Sequence, residues 1–171
     1  MTNNPGTPEH IIIPMTKKDK EFMLQAIDLS VENVANGGGP FGAVIVREGK
    51  VVATGVNRVT ANNDPTAHAE VMAIREACRR EGSFQLEGCT IYASCEPCPM
   101  CLGSIYWAGI SRICFAGTKQ DADAIHFGDK FIYEEMARPI SGRAIPTEQF
   151  MREEALKAFR AWEQKTDKIE Y

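Results

Sequence analysis

No run of apolar residues in this chain approaches the roughly 18 that a membrane-spanning helix needs; the longest lies around residues 41–46. The first ten residues lack the basic start and apolar middle of a signal peptide. Internal repeats and low-complexity segments are missing as well. So is an excess of positive charge. Nineteen Lys and Arg stand against 23 Asp and Glu, which argues against a nucleic-acid partner and not against a small neutral substrate. What is there is a chain of 171 residues, 44% of them hydrophobic, enough for one domain that buries roughly two-thirds of its unfolded surface. Such a domain needs no disulfides. Its six cysteines, with no secretion signal, therefore lead us to expect a reducing, cytoplasmic setting.

Residues 1–15 are polar, carry Pro5, Pro8 and Pro14, and read as a loose leader. Thr16 then caps a helix expected to run to about Asn36, stopped by Gly37-Gly38-Gly39-Pro40. Residues 41–46 and 51–57 read as a hairpin turned at 47–50. A second helix is expected from Asp64-Pro65-Thr66 to Gly82, then a strand over 89–94, a helix over 97–107 and a strand over 112–116. Helical pieces follow at 121–124 and 131–136. In the last helix, 148–165, the stripe of Met151, Ala155, Ala158, Phe159 and Trp162 reads as a packing face. Strands alternating with helices imply a three-layer α/β/α sandwich around a mixed β-sheet, with the hairpin antiparallel and the βαβ units parallel.

The chemistry-bearing residues are His68-Ala69-Glu70 and, about thirty positions on, Pro97-Cys98-Pro99-Met100-Cys101. Cys98 and Cys101 lie three apart at a helix start, where thiolates share a side and the helix end favours negative charge. One imidazole and two thiolates suit zinc, and a catalytic zinc site keeps its fourth place for water. Cys95 extends the spacing to Cys95-x-x-Cys98-x-x-Cys101, which leaves a closed site or an iron–sulfur fragment as alternatives; a Cys98/Cys101 redox pair is another. Cys78, Cys89 and Cys114 read as small core residues. Residues two apart on a helix diverge by about 200°. His68 and Glu70 therefore converge only if the site sits off the helix N-terminal end.

His-x-Glu followed by Pro-Cys-x-x-Cys is the signature of zinc nucleobase deaminases. With Gly38-Gly39-Pro40-Phe41-Gly42, Asn57, Asn63-Asp64-Pro65-Thr66, Ser94 to Gly103 and the terminal Ile169-Glu170-Tyr171, the chain resembles the cytidine-deaminase superfamily. More narrowly, it resembles the small bacterial zinc guanine deaminases, from about Thr16 to the end. That resemblance implies a cytidine-deaminase-like fold and zinc on His68, Cys98 and Cys101, with Glu70 as the catalytic proton carrier. It implies a nucleobase held by Asn57, Phe41 and Asp129. The family's Phe-Asp-Asp segment reads Phe127-Gly128-Asp129 here, so Asp123 stands as the fallback for Asp129, and His126 reads as a loop residue. It further implies a homodimer in which residues of about 147–171 are exchanged and Tyr171 caps the neighbour's pocket. Rival readings are a tRNA adenosine deaminase, a cytosine or guanosine deaminase, and a zinc module without catalysis, which would not need Glu70.

Overall fold

A computed structural model describes residues 14–170; of the expected leader, residues 1–13 lie outside the described residues. The element order is α1 (Lys17–Ala35), β1 (Gly42–Arg47), β2 (Lys50–Val56), α2 (Val59–Asn62), α3 (Ala69–Glu81), β3 (Cys89–Cys95), α4 (Pro99–Trp107), β4 (Arg112–Gly117), α5 (Lys119–Ala124), α6 (Lys130–Ala137), a 3-10 turn (Ile140–Gly142) and α7 (Arg152–Gln164). Among the described residues no helix is long and apolar enough to cross a membrane.

The strands form one sheet in the order β2-β1-β3-β4. β1 runs antiparallel to both β2 and β3, and only β3 and β4 are parallel. The sheet is thus mixed, as expected: the crossover through α3 carries β2 to β3, which run parallel to each other with β1 inserted antiparallel between them. Glu48 and Gly49 both have positive φ, the turn geometry whose twist suits a two-residue hairpin.

β1 is buried on both faces, so its side chains alternate between two cores. Val44 and Val46 pack with Tyr92 and Cys114 under Ala26, Phe22 and Met23 of α1. Ala43 and Ile45 face the other way, with Ile91, against Ala69, Ala73 and Ala77 of α3 and Ile105 of α4. Two glycines let helices approach the sheet. A Cβ at Gly42 would lie 2.4 Å from the Ala26 carbonyl oxygen, and one at Gly55 would lie 2.2 Å from that of Ala69. The N-terminus of α1 is pinned by a capping box between Thr16 and Asp19. Asp19 also accepts hydrogen bonds from the Tyr92 hydroxyl at 2.5 Å and from Arg112 at 2.6 Å, which ties α1 to β3 and β4.

Two helix starts differ from the sequence reading by more than two residues. Residues 64–67 form a turn held by Asp64 Oδ1, which accepts from the Thr66 amide and hydroxyl, so α3 begins only after His68. The last helix begins at Arg152, not 148, and the expected packing face of α7 is not covered by the described residues: Phe159 is 69% exposed, and Phe150 just before the helix 80%.

Candidate active site

Two helix N-termini meet here. His68 is the N-cap of α3 and Cys98 the N-cap of α4, both with extended backbone (ψ 158° and 168°). The residue before a proline is driven out of helical conformation, so Pro99 holds Cys98 extended and starts α4 at its first helical position. The divergence expected of a His-x-Glu pair on a helix is removed because His68 precedes the helix while Glu70 lies in its first turn. Cys101, one turn into α4, is fully buried.

The Sγ atoms of Cys98 and Cys101 each lie 3.5 Å from His68 Nδ1, and the three donor atoms all fall within 4.8 Å of one another. Around a tetrahedral zinc, with Zn–N near 2.05 Å and Zn–S near 2.3 Å, nitrogen and sulfur ligands stand about 3.6 Å apart. The three residues therefore fit that ion by spacing as well as by type. Electrostatics agrees. The hydrogen bond between the two thiols lowers Cys98 and raises Cys101, and burial pushes Cys101 further up. Both can be thiolates together only with a cation between them.

Glu70 is 7% exposed, and its Oε2 lies 3.4 Å from Cys101 Sγ. Burial raises its pKa above the usual carboxylate range, which brings a carboxyl nearer to proton exchange at neutral pH. Cys95, the alternative fourth ligand, closes β3 and turns its Sγ to the Thr118 carbonyl at 3.5 Å. It is not among the three clustered donors.

Above these groups opens a cavity of about 640 Å³ whose lining includes Phe41, Asn57, His68, Glu70, Cys98 and Asp129. Helices α2 to α6 and the end of β3 converge on it. Asn57 is buried, just past β2; its Oδ1 accepts from the Val59 amide at 3.3 Å, and its Nδ2 has no protein partner among the described residues. The Phe41 ring meets Phe127 edge-on, with centroids 5.2 Å apart. Asp129 caps α6, and burial raises its pKa, with the nearby Cys98 adding to the shift. The fallback Asp123 is exposed and does not line the cavity; its carboxylate packs on Gly128, where a Cβ would lie 2.1 Å from Oδ1. His126 is an exposed turn residue with φ 68°. Tyr171 lies outside the described residues. The sequence reading missed Phe127, Glu96 and Lys119 as lining residues, and missed Cys95 in that role. Phe127, Cys95 and Glu96 stand beside motif residues already singled out, whereas Lys119 stands in no motif and is gathered by the fold alone.

Residues 16–117 match a family model described as the cytidine and deoxycytidylate deaminase zinc-binding region. The chain is 50% identical over 151 residues to the guanine deaminase of Bacillus subtilis (strain 168), covering 88% of this chain and 97% of that protein. The X-ray structure of guanine deaminase from Bacillus subtilis superposes with a TM-score of 0.87 over 92% of this chain and 99% of the other, at 49% identity. The tRNA-specific adenosine deaminase of Aquifex aeolicus is 35% identical over 80% of this chain and 88% of its own. A mutant protein crystallised with 8-azaguanine is similar at 33% identity and a TM-score of 0.61, over 63% of each chain. With the His68, Cys98 and Cys101 donors spaced for zinc and more than half the chain matched, this protein belongs to the cytidine and deoxycytidylate deaminase zinc-binding family.

Proposed function

We propose that this protein hydrolyses guanine to xanthine and ammonia, and that it does so in the cytoplasm. One observation carries the reading: a buried carboxylate, Glu70, stands beside three zinc-type donors at the floor of a base-sized cavity. Its narrowing to guanine is supported by similarity along nearly the full chain to a guanine deaminase, and by a similar protein that binds 8-azaguanine. The free state of all six cysteines suits a reducing compartment.

His68, Cys98 and Cys101 would hold zinc, which supplies a water acidic enough to attack near neutral pH. Glu70 takes the proton from the attacking water and passes it to a ring nitrogen next to the carbon that bears the amino group. It then carries a second proton to the departing amine, so that guanine and water give xanthine and ammonia. Asn57 offers its unpaired Nδ2 to the purine, and Phe41 packs on the ring. The Asp129 carboxylate accepts from the ring N–H and the amino group of guanine. Adenine presents a bare acceptor at that ring position. A buried mismatch there costs roughly 1–3 kcal/mol per group.

The working unit in this reading is a homodimer of single-domain chains. The segment of about 147–171 crosses to the neighbour and Tyr171 closes its pocket. The exposed apolar side chains in and before α7 support it, since Phe150 and Phe159 are left uncovered by the described residues. Ammonia release from a panel of guanine, guanosine, cytosine, adenine and a tRNA anticodon arm tests the proposal. Turnover of guanine alone is the expected result. Turnover of adenosine in the RNA and not of guanine would replace it with the tRNA reading, which the net charge of −4 disfavours.

A further inference from the structure

The turn at 37–39 and Asn57 both line the cavity, yet they come from opposite ends of the hairpin that separates them. One side chain joins them. Asn33, in the last turn of α1, is 4% exposed. Its Nδ2 donates to the Gly39 carbonyl at 2.8 Å and to the Asn57 carbonyl at 2.9 Å, so both amide hydrogens are used. An asparagine that served only its own helix would bond the helix's carbonyls, as Asn36 does to Glu32. Asn33 bonds the turn and the residue after β2 instead.

The neighbours are shaped around it. A Cβ on Gly38 would lie 2.3 Å from Asn33 Nδ2 and 2.7 Å from its Cγ, so the amide occupies the space that any side chain at 38 would take. A Cβ on Gly39 would lie 3.1 Å from Asn57 Cγ, so the turn and the Asn57 side chain are in contact. The Asn57 amide N–H is spent on the Phe41 carbonyl at 3.1 Å, which carries the same tie to the second cavity residue.

We infer that Asn33 is a positioning residue for base binding: it fixes Gly39 and Asn57 against each other and so sets the width of the slot that takes the purine. The inference rests on the reading of Asn57 as a base-binding residue. It assigns Asn33 to substrate affinity and not to the chemical step, since its bonds end on the turn and on Asn57, away from His68, Glu70 and the two cysteines.

The test is kcat and KM for guanine, with zinc content per chain, in the full-length wild type and in Asn57→Ala, Asn33→Ala, Gly38→Ala and the Asn33→Ala/Gly38→Ala double variant. Wild type without guanine turnover, or Asn57→Ala with unchanged KM, sinks the underlying reading and not this step alone. If both behave as proposed, Asn33→Ala and Gly38→Ala should each raise KM by about tenfold, keep zinc and change kcat little. The double variant should be no worse than Asn33→Ala, because removing the amide opens the space that a Cβ at 38 needs; independent sites would instead multiply to about a hundredfold. A KM unchanged in Gly38→Ala, a kcat loss without a KM change, or full multiplication in the double variant overturns the inference. If Asn33→Ala does not fold, Gly38→Ala decides by the same KM criterion.

Discussion

A hydroxyl at position 98 would keep the size of the cysteine and lose the thiolate, and zinc holds hydroxyls poorly. Cys98→Ser is therefore expected to lose metal and turnover together. Metal analysis of the purified variant checks it, and one zinc per chain would remove Cys98 from the ligand set. Glu70→Gln separates the other role. The amide keeps the shape beside Cys101 but cannot shuttle protons. We expect zinc to stay and kcat to fall toward the upper end of the about 100- to 10,000-fold range for a general acid–base group, roughly 3–5 kcal/mol of barrier. A zinc-loaded variant with near wild-type kcat would move the proton carrier elsewhere. Both tests depend on residues adjacent in sequence to helix starts, and that is why they were legible. His-x-Glu and Pro-Cys-x-x-Cys name their chemistry by residue type and spacing. Asn33 is not legible in that way: nothing in Glu32-Asn33-Val34 says that the side chain will reach two carbonyls 6 and 24 positions on.

The elements divide along the same line. α1, the hairpin, β3, α4 and β4 could be read from capping, turn and alternation signals, because each is specified by its own residues. α3 started late since the Asp64–Thr66 turn consumed the residues that resemble a helix start. The antiparallel β1–β3 pairing is tertiary and leaves no local trace. The tie at the start of α1 is also tertiary, and it carries a pH signature. The Thr16 hydroxyl first, then the Tyr92 hydroxyl, the Thr16 amide and the Arg112 guanidinium, hold the Asp19 carboxyl well below the usual carboxylate range. Its folded pKa is depressed, so its stabilisation is complete above the unfolded value of about 4 and is lost as pH falls through the folded one. Asp19→Asn should cost about 2 kcal/mol at pH 7, the worth of a hydrogen bond to a charged group. Denaturant midpoints measured from pH 7 down to 3 should show the gap to wild type narrowing below about pH 4. A gap that stays constant over that range would mean that the charge of Asp19 does not contribute.

For the whole molecule, the decisive feature is the segment after α6, whose apolar side chains the described residues leave uncovered. Deleting residues 169–171 should give a folded, zinc-loaded protein whose guanine turnover drops at least about tenfold, or 1.4 kcal/mol. Unchanged kcat and KM would remove the tail from the site. Mixing then assigns it: a zinc-dead subunit with an intact tail should rescue a tail-less subunit with an intact metal site only if the tail acts across the dimer. The body of the fold has a different asymmetry. His68, Glu70, Cys98 and Cys101 all sit at or within the first turn of α3 and α4. The far ends of those helices, at Glu81 and Trp107, lie about 18 Å and 12 Å down their axes. An insertion in the exposed stretch 82–83 that follows α3, ahead of the fully buried Leu86, would fall at the end of the helix far from the donor atoms. Through its N-caps the chain is anchored at the chemistry, and at the opposite end only the exposed stretch before Leu86 leaves room to grow.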